Sequence, residues 1–219
     1  MTKRWTMVLS FAAFAAACSE AGARVKVPEA PVSRAAVGAD SVVFAGGCFW
    51  GVQAVFQRVR GVRRAVSGYA GGQAATASYE TVSSGPTGHA ESVKVVFDPS
   101  VVSFGELLTV FFTVVHDPTQ LNAQGPDVGP QYRSAIFYLT DEQRVSTVGY
   151  VKRLDSAGVY RRPIVTEIVP LRGFYDAEDY HQDYFTKHPN EPYIAYNDAP
   201  KVAALERRFP NLYLAYAKR

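Results

Sequence analysis

A chain of 219 residues can bury one sizeable core and still carry an extension, since a single domain commonly takes ~100–200 residues. Its 47% apolar and 20% charged residues match an ordinary soluble globular protein. The formal net charge is +3, and setting aside Lys3 and Arg4, which fall in a leader, leaves 21 cations against 20 carboxylates, excluding an electrostatic commitment to nucleic acid or an anionic surface.

Residues 1–23 read as a signal peptide. Lys3 and Arg4 precede an apolar run from Trp5 to Ala17, shorter than the ~20 residues a bilayer span needs but suited to a secretory core. Ala15-Ala16-Ala17-Cys18-Ser19 resembles a lipoprotein cleavage box with Ala15 where Leu is usual. That would make Cys18 the acylated first residue and tether the protein to a membrane. Ordinary cleavage after Ala17 or Ala23 is the competing reading. Either predicts an exported protein, periplasmic or membrane-anchored. Residues 24–40 read as a flexible tether with Pro28 and Pro31, and residues 41–219 as the folded domain.

Ser41 to Ala45 reads as a short buried strand ended by Gly46-Gly47. Val52, Val55, Phe56 and Val59 then fall on one helical face. Cys48 lies between, at the helix start, where unpaired N–H groups and the helix dipole favour thiolate over thiol. A lone cysteine is more often a small buried hydrophobe. If Cys18 is acylated or removed, however, Cys48 is the sole free thiol and no structural disulfide forms. Phe49 and Trp50 beside it suit an apolar wall for a small group, or plain core packing. Arg58, Arg60, Arg63 and Arg64 read as a solvated helix end and turn.

Strands are expected at about 62–70, 90–98, 133–139 and 163–169. In the second, Glu91 shares a face with Val93, Val95 and Phe97, opposite Ser92, Lys94 and Asp98. A carboxyl there is either buried, with a raised pKa that suits a proton donor, or turned back to solvent. Capping boxes at Ser103/Glu106 and Thr140/Gln143 start two helices. The first carries Leu107, Leu108, Phe111, Phe112 and Val115, and the second Val145, Val148, Val151 and Leu154. Gln120 to Pro130 is a polar Gly/Pro-rich loop, in which Asp127 reads by pattern as a turn residue, leading to Tyr132. A helix from Asp176 to Lys187 places His181 on a face with Ala177, Tyr184 and Phe185. The spacing of His89, His116, His181 and His188 fits no zinc pattern. Strands interleaved with helices make an α/β (α+β) domain.

Gly46-Gly47-Cys48-Phe49-Trp50-Gly51 resembles the signature of type A methionine sulfoxide reductases. Gly68-Tyr69-Ala70-Gly71-Gly72, Tyr79-Glu80-Thr81-Val82 and Gly88-His89-Ala90-Glu91 continue the likeness, followed by Asp117-Pro118-Thr119, Gln131-Tyr132-Arg133-Ser134-Ala135-Ile136 and Ala177-Glu178-Asp179-Tyr180-His181-Gln182. Together they cover residues 41–210 in order.

The resemblance implies a two-layer sandwich with a ferredoxin-like core and a mixed sheet. It implies Cys48 as nucleophile passing through a sulfenic acid, and Glu91 as the acid that protonates the sulfoxide oxygen. Tyr79 and Tyr132 would hydrogen-bond that oxygen, Asp127 would orient water and neighbouring side chains, and Phe49 and Trp50 would hold the substrate methyl group. The S epimer is the expected substrate. No bound cofactor or metal is expected. The implied partners are oxidised proteins or peptides and a thiol reductant, thioredoxin-like or a small dithiol, acting on a monomer.

Two departures stand out. The segment Pro192 to Val202 lacks the resolving cysteine that many members carry, so an external thiol is expected to resolve the sulfenic acid unless Cys18 does so. Ala75-Thr76-Ala77-Ser78 replaces a common Asn-Pro-Thr turn before Tyr79, and Pro130 beside Gln131 is a milder variation. Two other readings compete: a cysteine hydrolase or acyltransferase pairing Cys48 with a His, and a membrane-tethered protein binding through an aromatic pocket.

Overall fold

The computed structural model describes residues 27–30 and 40–216. The leader, Cys18 and most of the expected tether lie outside the described residues. Within that tether stretch, Val27 and Ala30 pack against the core.

β1 (Asp40–Gly46) leads into α1 (Phe49–Phe56), then β2 (Val62–Ala70), α2 (Tyr79–Ser84), β3 (Ala90–Phe97) and α3 (Phe104–Val110). A small hairpin follows, β4 (Ala123–Gln124) with β5 (Asp127–Val128), then β6 (Ser134–Tyr138) and α4 (Asp141–Ser156). The chain closes with β7 (Glu167–Pro170), β8 (Phe174–Asp176), α5 (Tyr184–Lys187) and α6 (Ala199–Arg208).

Six strands form one sheet in the order β7-β6-β1-β3-β2-β8. The inner four, β6-β1-β3-β2, are antiparallel throughout, which is the ferredoxin-like arrangement of two interleaved crossovers. β7 adds parallel to β6 and β8 adds antiparallel to β2, so the sheet is mixed, as expected.

Alternation decides the layers. Val42 and Phe44 of β1, with Val93, Val95 and Phe97 of β3, point to the helices, where they meet Val52, Phe56, Leu107 and Phe111 in one large core. Val43 and Ala45 point the other way, to a small cluster with Ala135 and Phe137. Phe44 stacks between Phe56 and Phe111, at centroid distances of 4.9 and 4.7 Å, which fixes α1 and α3 over the sheet centre. The Ser103/Glu106 box closes in both directions, and Ser103 is almost fully buried.

Four expectations need correction. α4 buries the expected Leu154 and packs Val151 against the core, but it also buries Gln143, Thr147 and Tyr150 and leaves Val145 at 55% exposure. Gln143 turns inward at the start of the helix, where it bonds the Leu139 N–H and the Ser41 carbonyl.

The strand expected at 163–169 begins only at Glu167, since β6, its partner, starts at Ser134 and pairs Ala135 with Glu167. Pro163 has no N–H to offer a ladder, and Val165 bonds Pro118 instead.

The helix expected from Asp176 to Lys187 is broken. A 3-10 turn (Asp179–His181) and α5 are separated by Asp183, which adopts a left-handed φ of 59°. Tertiary hydrogen bonds win there: the Asp183 N–H donates to Gln53 Oε1, and Gln182 is committed to the edge of β2.

Arg58 is buried rather than solvated. Its guanidinium donates to the Ala54 carbonyl and lies over the rings of Phe185 and Tyr216.

Candidate active site

β1 ends in Gly46-Gly47, and Gly47 has a φ of +89°, which brings the chain sharply into α1. A Cβ at Gly47 would come within 2.7 Å of Gln124, so glycine is needed for space as well as conformation. Cys48 is the N-cap residue of α1 and is 7% exposed.

Glu91, the second residue of β3, is 3% exposed on the helix-facing side, which selects the buried one of the two readings the alternation left open. Its Oε2 accepts the Phe49 N–H at 3.0 Å, so the carboxyl sits beside the residue that follows the thiol. Burial pushes Glu91 up to about 8, with Asp127 and Asp198 adding and the Phe49 N–H opposing, so the acid holds its proton at neutral pH.

The thiol departs from expectation. Burial raises Cys48 well above its ordinary value, and the carboxyls of Glu91 and Asp198 add to the shift. The Trp50 N–H at the helix start and Lys201 pull the other way but do not prevail. Removing the sulfur from water outweighs one short helix's dipole, so the resting group is a thiol.

Tyr79 comes from the start of α2 and Tyr132 from the turn before β6, yet both phenols lie within electrostatic reach of Cys48, Glu91 and Asp127. Burial raises both, so they are neutral donors at physiological pH. Tyr79 keeps its place despite the altered turn before it, because its N–H donates to Glu178 Oε1 at 2.9 Å and its ring packs on His181. Asp127, on β5, accepts the Tyr193 hydroxyl at 2.5 Å, tying the hairpin to the C-terminal segment.

Phe49 is 1% exposed, packed between Tyr69 and His181, so it forms the floor rather than an open wall. Trp50 is half-buried and stacked on Tyr184 at 3.8 Å, with its Nε1–H donating to His181 Nδ1.

Several residues of this site are not marked by pattern alone. Glu178 accepts from the Tyr69 hydroxyl as well as from Tyr79. Burial alone would raise its carboxyl, but these donors hold it below the usual carboxylate value. Gln182 locks the segment to the edge of β2: its amide bonds both the N–H and the carbonyl of Ser67, and it also bonds the Ala177 carbonyl and Gln53. Glu178, His181 and Gln182 lie within a segment that carries the family resemblance, which was the available signal. Tyr193, Asp198 and Lys201 had none.

Behind the Gly46 turn, His116 accepts at Nε2 from Ser134, while its Nδ1–H donates to the Phe111 carbonyl. Burial takes this imidazole down to about 4, so it stays neutral and its tautomer is fixed. Among the described residues no histidine is hydrogen-bonded to Cys48. The site therefore offers an un-ionised sulfur beside a neutral acid and two phenol donors, a set suited to a polar S=O group rather than to His-assisted acyl transfer.

The family model described as peptide methionine sulfoxide reductase matches residues 40–212. A relative from Mesorhizobium japonicum named peptide methionine sulfoxide reductase MsrA 2 is 57% identical over 82% of this chain and 92% of its own length. Its namesake from Synechocystis is 49% identical over 82% and 84%. Among solved structures, methionine sulfoxide reductase A of Corynebacterium diphtheriae aligns with a TM-score of 0.61 and 37% identity over 72% of this chain and 78% of that one. Reduced Mxr1 from Saccharomyces cerevisiae aligns at 0.64 and 34% over 69% and 87%. With the fold, the placement of Cys48 and Glu91, and these likenesses in agreement, the chain belongs to the peptide methionine sulfoxide reductase family, type A.

Proposed function

We propose that this protein reduces methionine-S-sulfoxide, in oxidised proteins and peptides and as the free amino acid, to methionine. One observation carries the reading: a buried Glu91, which burial pushes up to about 8, is hydrogen-bonded to the N–H of the residue that follows Cys48. A sulfoxide sulfur becomes a good electrophile only when its oxygen is protonated or strongly hydrogen-bonded, and the acid stands where it can do that.

Tyr79 and Tyr132 donate to the sulfoxide oxygen, Glu91 protonates it, and the Cys48 sulfur attacks the substrate sulfur. Asp127 orients the hairpin side of the site through Tyr193. Trp50 lies over the methyl group and Phe49 beneath it. The balance is Cys48–SH plus sulfoxide giving Cys48–SOH plus sulfide, so the oxygen passes from substrate to Cys48, which is oxidised by two electrons. One external thiol condenses with the sulfenic acid, releasing water and forming a mixed disulfide, and a second thiol restores Cys48. Cys48 is the only cysteine among the described residues, which supports a thioredoxin-like protein or a small dithiol as reductant. Preference for the S epimer rests on family membership.

The leader pattern supports export, with Cys18 as a lipid anchor. Fatty-acid labelling that is lost in Cys18→Ala is the expected result.

The function is tested by turnover of a peptide carrying either sulfoxide epimer, with excess dithiothreitol. Reduction of the S epimer alone is expected, abolished by Cys48→Ser. Failure of the folded protein to reduce either epimer would overturn the reading.

A further inference from the structure

Asp198 is fully buried, which is rare for a carboxylate without two good partners. It ends the turn formed by Ile194–Asp198 and begins α6. Oδ1 meets Lys201 Nζ at 3.0 Å, while Oδ2 has no hydrogen-bond partner among the described residues.

The pair is pressed against the first turn of α1. A Cβ on Gly51 would lie 2.1 Å from Asp198 Oδ1 and 3.0 Å from Lys201 Nζ, so the missing side chain is what admits them. Gly51 is three residues after Cys48, and both charges act on the sulfur with opposite sign. A buried carboxylate left with an unbonded oxygen costs stability, and its position beside the nucleophile's helix gives that cost a use.

We propose that Asp198, clamped by Lys201, is a positioning residue that guards Cys48, holding the resting sulfur as a neutral thiol so that it reacts with bound sulfoxide and not with passing electrophiles. Lys201 limits the effect, keeping the sulfur within reach of activation.

The groups acting on Cys48 come from every neighbouring element. Glu91 contributes from β3 and Asp198 and Lys201 from the start of α6. Tyr79 at the start of α2, Tyr184 at the start of α5, Tyr132 and Tyr193 are the phenols that lie within electrostatic reach of the sulfur. Asp127 faces both Glu91 and Asp198. Burial raises Asp198 itself, and the ion pair with Lys201 opposes that shift and favours the charged carboxylate; with the phenols and Glu91 uncharged at neutral pH, this pair supplies the charge acting on the sulfur.

The proposal rests on Cys48 as the attacking sulfur, but its test needs no sulfoxide, so the two can fail separately. In the purified protein, the rate at which iodoacetamide alkylates Cys48 is followed against pH by peptide mass spectrometry. Removing the negative charge with Asp198→Asn should ease ionisation and raise the rate at pH 7.5 about tenfold, equivalent to about one pH unit along the profile. Removing the positive charge with Lys201→Met should slow it severalfold. The double variant should return towards wild type. Loosened packing would instead speed alkylation in all three. Shifts of the two single variants in the same direction, or no shift in either while each unfolds cooperatively, would overturn the proposal. If Asp198→Asn does not fold, the half-buried Lys201→Met decides alone, and an unchanged or faster rate sinks it.

Discussion

Cys48 and Glu91 stand at one end of two neighbouring strands, β1 and β3, whose core-facing residues are fully buried. Residues 177–216, which bring Glu178, His181, Tyr193, Asp198 and Lys201 to the same place, contain short turns, a left-handed Asp183 and only one helix of ten residues. The first region is held by apolar packing and strand ladders, while the second adds to the core contacts of Ala177 and Leu205 a set of polar anchors: Gln182 to Ser67, Glu178 to Tyr69 and Tyr79, and Tyr193 to Asp127. The reacting groups sit at the ends of paired strands, and the groups that adjust them sit on a segment with little regular structure whose polar anchors fix its path.

The largest expected effect lies on the rigid side. Glu91→Gln should slow sulfoxide reduction roughly a hundredfold or more, since it removes the acid while keeping the side-chain shape. The wild-type rate should fall as pH rises through about 8, where Glu91 loses its proton, and that limb should vanish in the variant. Stability gives a second readout. The folded state holds this proton more tightly than the unfolded one, so the contribution is full below about 4.5 and is lost as pH climbs to about 8. Denaturant titrations of Glu91→Gln should be flatter across that window.

Next comes the anchor. Gln182→Ala removes four hydrogen bonds and leaves the N–H of Ser67 unpaired, so we expect a loss of about 2–3 kcal/mol and preferential proteolysis within 177–216. A uniform loss with no local cleavage would break the contrast between the regions.

Smaller still, Glu178→Ala should lower kcat/KM about tenfold with little change in fold, by freeing the backbone that aims Tyr79. Least of all, Val145→Ala on the exposed face of α4 should change stability by less than ~0.5 kcal/mol, against a cost of ~2–5 kcal/mol for Leu154→Ala in the core.

The same contrast explains what could be read from sequence. Strict alternation put Glu91 on the buried face beside Val93 and Val95, and glycines before an amphipathic stripe put Cys48 at a helix start. Both signals are local and periodic. The helix expected across 176–187 failed because its backbone was decided by Gln53 and Ser67, more than a hundred residues away. At the start of α4, Val145 stays exposed while Gln143 turns inward to the distant Ser41 carbonyl. The thiolate expected at Cys48 failed because burial and a carboxylate 150 residues downstream leave no mark on the local pattern.

The C-terminal segment is fastened at its far end too. The Arg60 N–H donates to the Leu212 carbonyl, the Leu214 N–H to that of Arg58, and Val59 bridges Tyr213, just past the end of α1. With Gln182 near one end and Tyr213 near the other, residues 183–212 form a belt across the helix that begins at Cys48. A belt pinned twice is a closed polymer loop. If one pin opens, the other keeps the ends close, and the entropy lost on reclosing grows only with the logarithm of the length between them. Excursions of its exposed stretch are therefore brief and self-correcting, and hydrogen exchange should be fastest over the exposed Thr186–Asn190 and slowest at the two fastenings and around the buried Ile194, Asp198 and Leu205.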